Sequence, residues 1–150
     1  MDLFKIFSVS GSGMAAQRSR MTVVAGNLAN SETTRTPEGG PYRRRDTIFK
    51  AVPAEGEFAA EFDRLSDGAN QAQGVEVVGV KQSSQPPRKI FDPNHPDADG
   101  TGYVALPNIN PMEEMVDMLS AVRSYEANLA TYNTTKSLIR KILDIGRASY

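Results

Sequence analysis

From Met115 onward, apolar residues recur at alternating steps of three and four: Met115, Met118, Val122, Tyr125, Leu129, Tyr132, Ile139 and Leu143, with Lys136 the one polar interruption. A 4–3 spacing held this long predicts a helix with a coiled-coil-type seam. Asn110 is placed to cap its start, Pro111 suits the first helical position, and Glu113 stands where a capping-box carboxylate belongs. Gly146 is the expected stop. The same helix carries a second apolar set: Met112, Val116, Leu119, Ala127, Ala130, Leu138, Ile142 and Ile145. A helix apolar on more than one side is buried on more than one side, in a bundle or against neighbouring molecules.

Near the other end, Phe7, Met14, Met21 and Leu28 lie seven apart, with Val24 and Ala25 beside them. Their alternate partners Ser10 and Gln17 are polar, and Gly11 and Gly13 should fray the first turns. The pattern predicts a helix from about Ser12 to Ala29 that can extend forward when packed, with Asn30 as C-cap because Asn tolerates left-handed backbone. Between the helices the period changes. "DTIFKAV", "GVEVVGVKQ", "RKIF" and "GYVAL" read as short strands separated by Gly and Pro clusters. "EFAAEFDRL" puts Phe58, Phe62 and Leu65 on one helical face, which predicts a short helix at 57–65.

The expected fold is mainly α with a small β-rich insert. Residues 1–30 and 109–150 form a discontinuous terminal-helix domain, its two helices an antiparallel, coiled-coil-like pair; residues 31–108 form the insert. A short, glycine-broken helix covers little of its partner, so the terminal helices are expected to gain full order only with neighbours against them.

Composition narrows the chemistry. Only 39 % of the 150 residues are hydrophobic and 7 % aromatic, with no Trp, so a large core is not expected. Seventeen basic residues nearly balance eighteen acidic ones; a net charge of −1 exerts no global pull on nucleic acid or an anionic membrane. The absence of Cys excludes disulfides, thiolate chemistry and Cys-based zinc sites. No apolar run is long enough for a membrane-spanning helix, and "MDLFKIFSVSGSG" lacks the basic start of a cleaved leader.

Candidate catalytic groups are few. The single histidine, His95, sits in "DPNHPDADG", where Pro96 and Gly100 spoil the spacing of a calcium loop. "GSG" at 11–13 lacks the Lys-Ser/Thr of a phosphate loop. "YRRR" at 42–45 is followed by Asp46 and reads as a solvated or subunit-facing basic cluster. Glu113 and Glu114 are explained by the helix dipole, and Tyr125 and Tyr132 by packing on the seam. No catalytic, cofactor-binding or metal-ligating residue is assigned, and no enzymatic activity is expected.

Two segments resemble a known family. "VVAGNLANSETTRT" at 23–36 resembles the signature that closes the N-terminal helix of bacterial flagellar rod and hook proteins. "EMVDMLSAVRSYEANLATYNTTKSLIRKILDIG" at 114–146 is similar to their C-terminal helix. "GGPYRRRDTIF" at 39–49 and "GYVALPNINPMEEM" at 102–115 resemble the short proximal-rod subunits in particular. The resemblance assigns Asn27, Leu28, Ala29, Asn30, Thr33 and Thr34 to a hinge motif, and Ser124, Tyr125, Glu126, Ala127 and Asn128 to the "SYEAN" core. Gly26 stands where the family often has Asn or Ser, and residues 53–74 look like an insertion relative to compact members. What the resemblance implies is a structural subunit of a helical, tubular assembly, the basal-body rod that crosses the periplasm and transmits torque. It implies no cofactor, nucleic acid or membrane insertion. The implied partners are copies of the chain, other rod proteins and the flagellar type III export machinery. The seam residues, with Phe7, Met14, Met21 and Leu28, would serve helix packing and assembly. The alternatives are another short rod subunit, a small enzyme, or a coiled-coil nucleic-acid binder; the missing nucleophile–base pair and the charge balance speak against the last two.

Overall fold

The computed structural model describes residues 3–53 and 73–148. Helix α1 runs Leu3–Ala29, strands β1 Arg45–Pro53, β2 Gln73–Gln82, β3 Arg88–Phe91 and β4 Tyr103–Leu106 follow, and helix α2 spans Pro111–Ala148. All four expected strands are present within a residue of their expected ends. The short helix expected at 57–65 lies outside the described residues.

Helix α1 takes the forward extension allowed on packing and begins at Leu3, so Gly11 and Gly13 are interior. Tertiary contact offsets their poor propensity, about 1 kcal/mol each. A Cβ on Gly13 would stand 2.9 Å from Asn128 Nδ2, so glycine here admits the facing side chain. The Ser12 hydroxyl donates to Val9 O at 2.9 Å and accepts from Val75 N at 3.1 Å. At the other helix, Asn110 Oδ1 accepts Met112 N at 3.1 Å, the expected cap. Gly146 does not end α2, which continues to Ala148. Among the described glycines only Gly39, Gly40 and Gly102 have positive φ, so Gly146 makes no left-handed C-cap.

The inward line of α2 differs from the expected seam by one residue at every second position. Glu114, Ala121 and Thr135 are buried, and Asp117, Met118, Val122, Ser124, Tyr125, Asn128, Tyr132 and Ile139 are half-buried; among the described residues, the line through Glu114, Met118, Ala121, Tyr125, Asn128, Tyr132, Thr135 and Ile139 holds every buried residue of the helix. Met118, Tyr125, Tyr132 and Ile139 fall on it as the spacing requires. Val122 is half-buried beside Ala121, whereas Met115, Leu129 and Leu143 are exposed. At one alternate position, Asn128, the neighbour is Gly13, while Met115, Leu129 and Leu143 stand outward. Thr135 satisfies its buried hydroxyl on Thr131 O at 2.9 Å. In α1 likewise, Ser10, Ala16, Val24 and Asn27 are buried while Phe7, Met14, Met21 and Leu28 are half-buried.

The residues group into two compact units. The first draws on Met1–Arg18, Phe49–Val78 and Val122–Tyr150. In it the Phe7 and Tyr132 rings meet edge-on with centroids 4.6 Å apart, and Gly13 faces Asn128, so the helices run antiparallel. The second draws on Ser19–Ile48 and Gly79–Ala121. Its buried apolar side chains are Val24, Val104, Ile109 and Ala121, with Pro107. Strands β1 and β2 form one two-stranded sheet, and β3 and β4 another, antiparallel with Arg88 opposite Leu106 and Phe91 opposite Tyr103.

Candidate functional site

The end of α1, the start of β1 and the first turn of α2 converge on one buried amide. Asn27 is fully buried, two residues before α1 ends. Its Oδ1 accepts Arg45 N at 2.9 Å and its Nδ2 donates to Arg45 O at 2.8 Å. The side chain thus pairs with the first residue of β1 as a neighbouring strand would. Nδ2 also donates to Glu114 Oε2 at 3.0 Å, and Tyr42 Oη donates to Oδ1 at 3.2 Å. Every hydrogen-bonding position of the amide is engaged, which is what makes its burial tolerable.

Glu114 is 1 % exposed, and its other oxygen accepts Arg44 Nε at 2.6 Å. The Arg44 guanidinium also reaches Asp46 and, at 3.5 Å, Asp117, which pairs with Arg20 at 3.1 Å. Burial alone would lower the Arg44 pKa. The hydrogen bond and charge of Glu114, with the charges of Asp46 and Asp117, outweigh it and hold the guanidinium above its ordinary value. Burial raises the Tyr42 hydroxyl, against the opposing pull of Arg45 and with a further rise from Glu114. The position of Glu114 in the first turn also suits the helix dipole.

Sequence reading missed Tyr42, Arg44, Arg45 and Glu114 as site residues, with Arg20, Asp46 and Asp117 around them. Glu114 is more than a dipole partner, and Arg44 is not part of a solvated cluster: the two form the charged half of the anchor. The signal was present, because Glu114 continues the 4–3 line of Met118, Ala121 and Tyr125 toward the helix start. The neighbouring Met115 satisfies an apolar template and masks it.

The remaining hinge residues build the chain reversal after α1. Asn30 donates from both its backbone N, at 3.1 Å, and Nδ2, at 2.8 Å, to Gly26 O. It therefore caps through its side chain. Thr33 Oγ1 donates to Asn30 Oδ1 at 3.1 Å, and Tyr42 N returns to Thr33 O at 3.0 Å. Thr34 Oγ1 donates to Asp97 Oδ2 at 2.7 Å. Leu28 is half-buried and Ala29 exposed. In the "SYEAN" core, Ser124 and Tyr125 are half-buried, Glu126 and Ala127 exposed, and Asn128 Nδ2 donates to Ser124 O at 3.0 Å.

The acidic loop around His95 is occupied with its own turns. Asp99 Oδ1 accepts from Thr101 Oγ1, Tyr103 N and Thr101 N; these hydrogen bonds hold its carboxyl below the ordinary range. His95 Nδ1 accepts Asp97 N at 3.0 Å. Among the described residues no cluster of acidic and histidine side chains is arranged to hold a metal, and no helix is long and apolar enough to cross a membrane.

Such an arrangement clamps three chain segments and offers no nucleophile aligned with a base. Known proteins match it over nearly the whole chain. A family model described as flagella basal body rod protein matches residues 7–35, and one described as flagellar basal body rod FlgEFG protein C-terminal matches 101–145. The first covers Asn27 and the second Glu114. The flagellar basal-body rod protein FlgC of Borreliella burgdorferi is 44 % identical over 97 % of this chain and 98 % of its own. The chain belongs to the FlgC family of flagellar basal-body rod proteins. FlgC of Bacillus subtilis is 39 % identical and that of Salmonella typhimurium 38 %, each over 98 % of this chain and all of its own. Members of this family are structural rod subunits, and no enzymatic family is indicated.

Proposed function

We propose that the chain polymerises with copies of itself and with other rod proteins into the proximal rod, crossing the periplasm and transmitting torque to the hook. It reaches that position through the flagellar type III export machinery. It is no enzyme, holds no cofactor, and neither binds nucleic acid nor inserts into a membrane. The terminal helices pair in coiled-coil fashion to form the wall of the tube, gain full order against their neighbours, and project the insert outward. Met115, Leu129 and Leu143 act at contacts between subunits, while Met118, Val122, Tyr125, Tyr132 and Ile139 serve both packing and assembly.

The observation that carries this reading is the outward placement of apolar bulk on α2. Met112 and Ile145 are 66 % and 69 % exposed, and Val116, Leu119, Leu138 and Ile142 are exposed with them. Apolar surface on this scale marks an interaction site. The anchor at Asn27 fixes where the chain leaves α1, and so how the insert is presented.

The test is complementation of a strain lacking the chain. The parental chain should be found in purified basal bodies and restore swimming. Asn27→Leu or Asn30→Leu should be exported yet absent from basal bodies, with swimming lost. Absence of the parental chain from basal bodies overturns the rod assignment; normal swimming by both variants overturns the role of the hinge.

A further inference from the structure

The loop after α1 and the first residues of β1 enclose a groove of about 450 Å³. Arg35, Arg43 and Arg45 line it, and Glu38 is the one acidic residue among its walls. These guanidiniums are poorly neutralised. Arg45 lies over the Tyr42 ring, 5.5 Å from its centroid. Arg35 reaches Asp97 only at 4.0 Å, its side chain 83 % exposed. Among the described residues no ion pair holds Arg43. Like charges gathered around a concavity focus a positive potential there and favour carboxylates, which guanidinium forks bind in pairs. Pro37 and Pro41 add an apolar wall.

The chain itself holds a complementary sequence. "EGEFAAEFDRLSD" at 55–67 has five acids against the single base Arg64, so the rest of the chain is net positive. Phe62 stands between Glu61 and Asp63. This stretch leaves β1 at Pro53, and Arg45 opens that strand. The strand between them measures roughly 27 Å at about 3.4 Å per residue. The midpoint of the connection to Gln73 is about ten residues from Pro53, a reach of roughly 33 Å at most. A return to its own groove therefore demands near-complete extension, and a neighbouring molecule removes that demand.

We propose that the groove receives the acidic segment 55–67 of a second copy of the chain, with carboxylates on Arg35 and Arg43 and Phe62 against Pro37 and Pro41. The proposal rests on the polymer reading above, names a contact between adjacent copies, and gives the insertion a role.

Because the chain lacks Cys, introduced thiols are the only ones present. Gln82→Cys lines the groove, and Ser66→Cys lies in the segment. Concentrated equimolar mixtures of the two full-length variants, differently tagged, are oxidised mildly. The expected product is a disulfide dimer carrying one of each. Its yield should fall at least tenfold with Arg35→Glu/Arg43→Glu in the groove-bearing copy. It should return when the other copy carries Glu57→Lys/Glu61→Lys/Asp63→Lys. No mixed dimer, or a yield indifferent to charge reversal, overturns the proposal. An intramolecular bond as the dominant product of the double variant Gln82→Cys/Ser66→Cys assigns the segment to its own groove and overturns the second-copy contact. If cross-linking fails while the parental chain is still found in basal bodies, this contact alone falls and rod membership stands.

Discussion

A single amide organises the end of α1, because Asn27 presents a donor and an acceptor to partners of opposite needs. Asn27→Asp keeps the shape and the oxygen that faces Arg45 N. It also turns a second oxygen toward Arg45 O and the Glu114 carboxylate, which Nδ2 meets at 2.8 and 3.0 Å. The introduced carboxyl is therefore stable only with a proton, so its folded pKa rises above the unfolded value of about 3.9. A raised folded pKa favours folding below the unfolded pKa and loses that advantage as pH rises through the folded one. The variant should fall about 2–3 kcal/mol short of the parent at pH 7, by analogy with unpaired buried groups, and the gap should narrow toward pH 4. Urea denaturation of both proteins at the two pH values measures it, and a gap that ignores pH refutes the donor role of Nδ2. Local hydrogen bonding by Asn30 and Thr33 was legible in the sequence, because both bond within a few residues of themselves. The sequence could not pair Asn27 with Glu114 and Arg45, because those partners lie 87 and 18 positions away and only the folded chain brings them together.

At the scale of elements, periodicity was a good guide to type and a poorer one to facing. The four strands were legible because β-branched and aromatic residues alternate between Gly and Pro clusters. The inward line of α2 was half legible. A spacing template scores the bulkiest apolar residue near each step, whereas the less exposed positions are held by the small Ala121 and by Asn128 and Thr135, whose polar groups are satisfied within the helix. The start of α1 lies in the forward extension that packing allows, and the Asn128 contact makes use of Gly13. The two glycines then separate cleanly by experiment. A Cβ at Gly11 meets nothing within 4 Å, so Gly11→Ala should stabilise by about 0.5–1 kcal/mol through helix propensity. At Gly13 the same gain is opposed by a 2.9 Å approach to Asn128 and the loss of its place on the helix, at about 1–3 kcal/mol for overpacking. Thermal melting by circular dichroism should show a higher Tm for Gly11→Ala and no increase for Gly13→Ala. Equal increases would mean that Gly13 has no packing role.

Taken as a whole molecule, the chain inverts the usual distribution of apolar bulk. Ala121 and Val104 are buried in its second unit together with Asn27 and Glu114, while Val116, Leu119, Leu138, Ile142 and Ile145 remain exposed on α2. The buried hydrogen-bonded cluster at Asn27 and Glu114 specifies how segments join, and the exposed apolar residues hold hydrophobic free energy that, on the proposed reading, is released when other molecules cover the helix. On that reading, the exposed residues of α2 serve assembly without serving folding, and substitution can separate the two roles there. Val116→Glu and Ile142→Glu place a carboxylate where the isolated chain already meets water, so each should change its unfolding free energy by no more than about 0.5 kcal/mol. In a tube wall the same carboxylate would be stripped of water without a partner, at a cost of several kcal/mol. Each variant should therefore melt like the parent, yet be missing from purified basal bodies and fail to restore swimming. Asn27→Asp should show the opposite order of effects, with lost stability preceding any failure to assemble. If Val116→Glu and Ile142→Glu instead enter basal bodies at parental levels, the exposed apolar residues of α2 do not face neighbouring subunits, and the contacts that build the rod lie elsewhere on the chain.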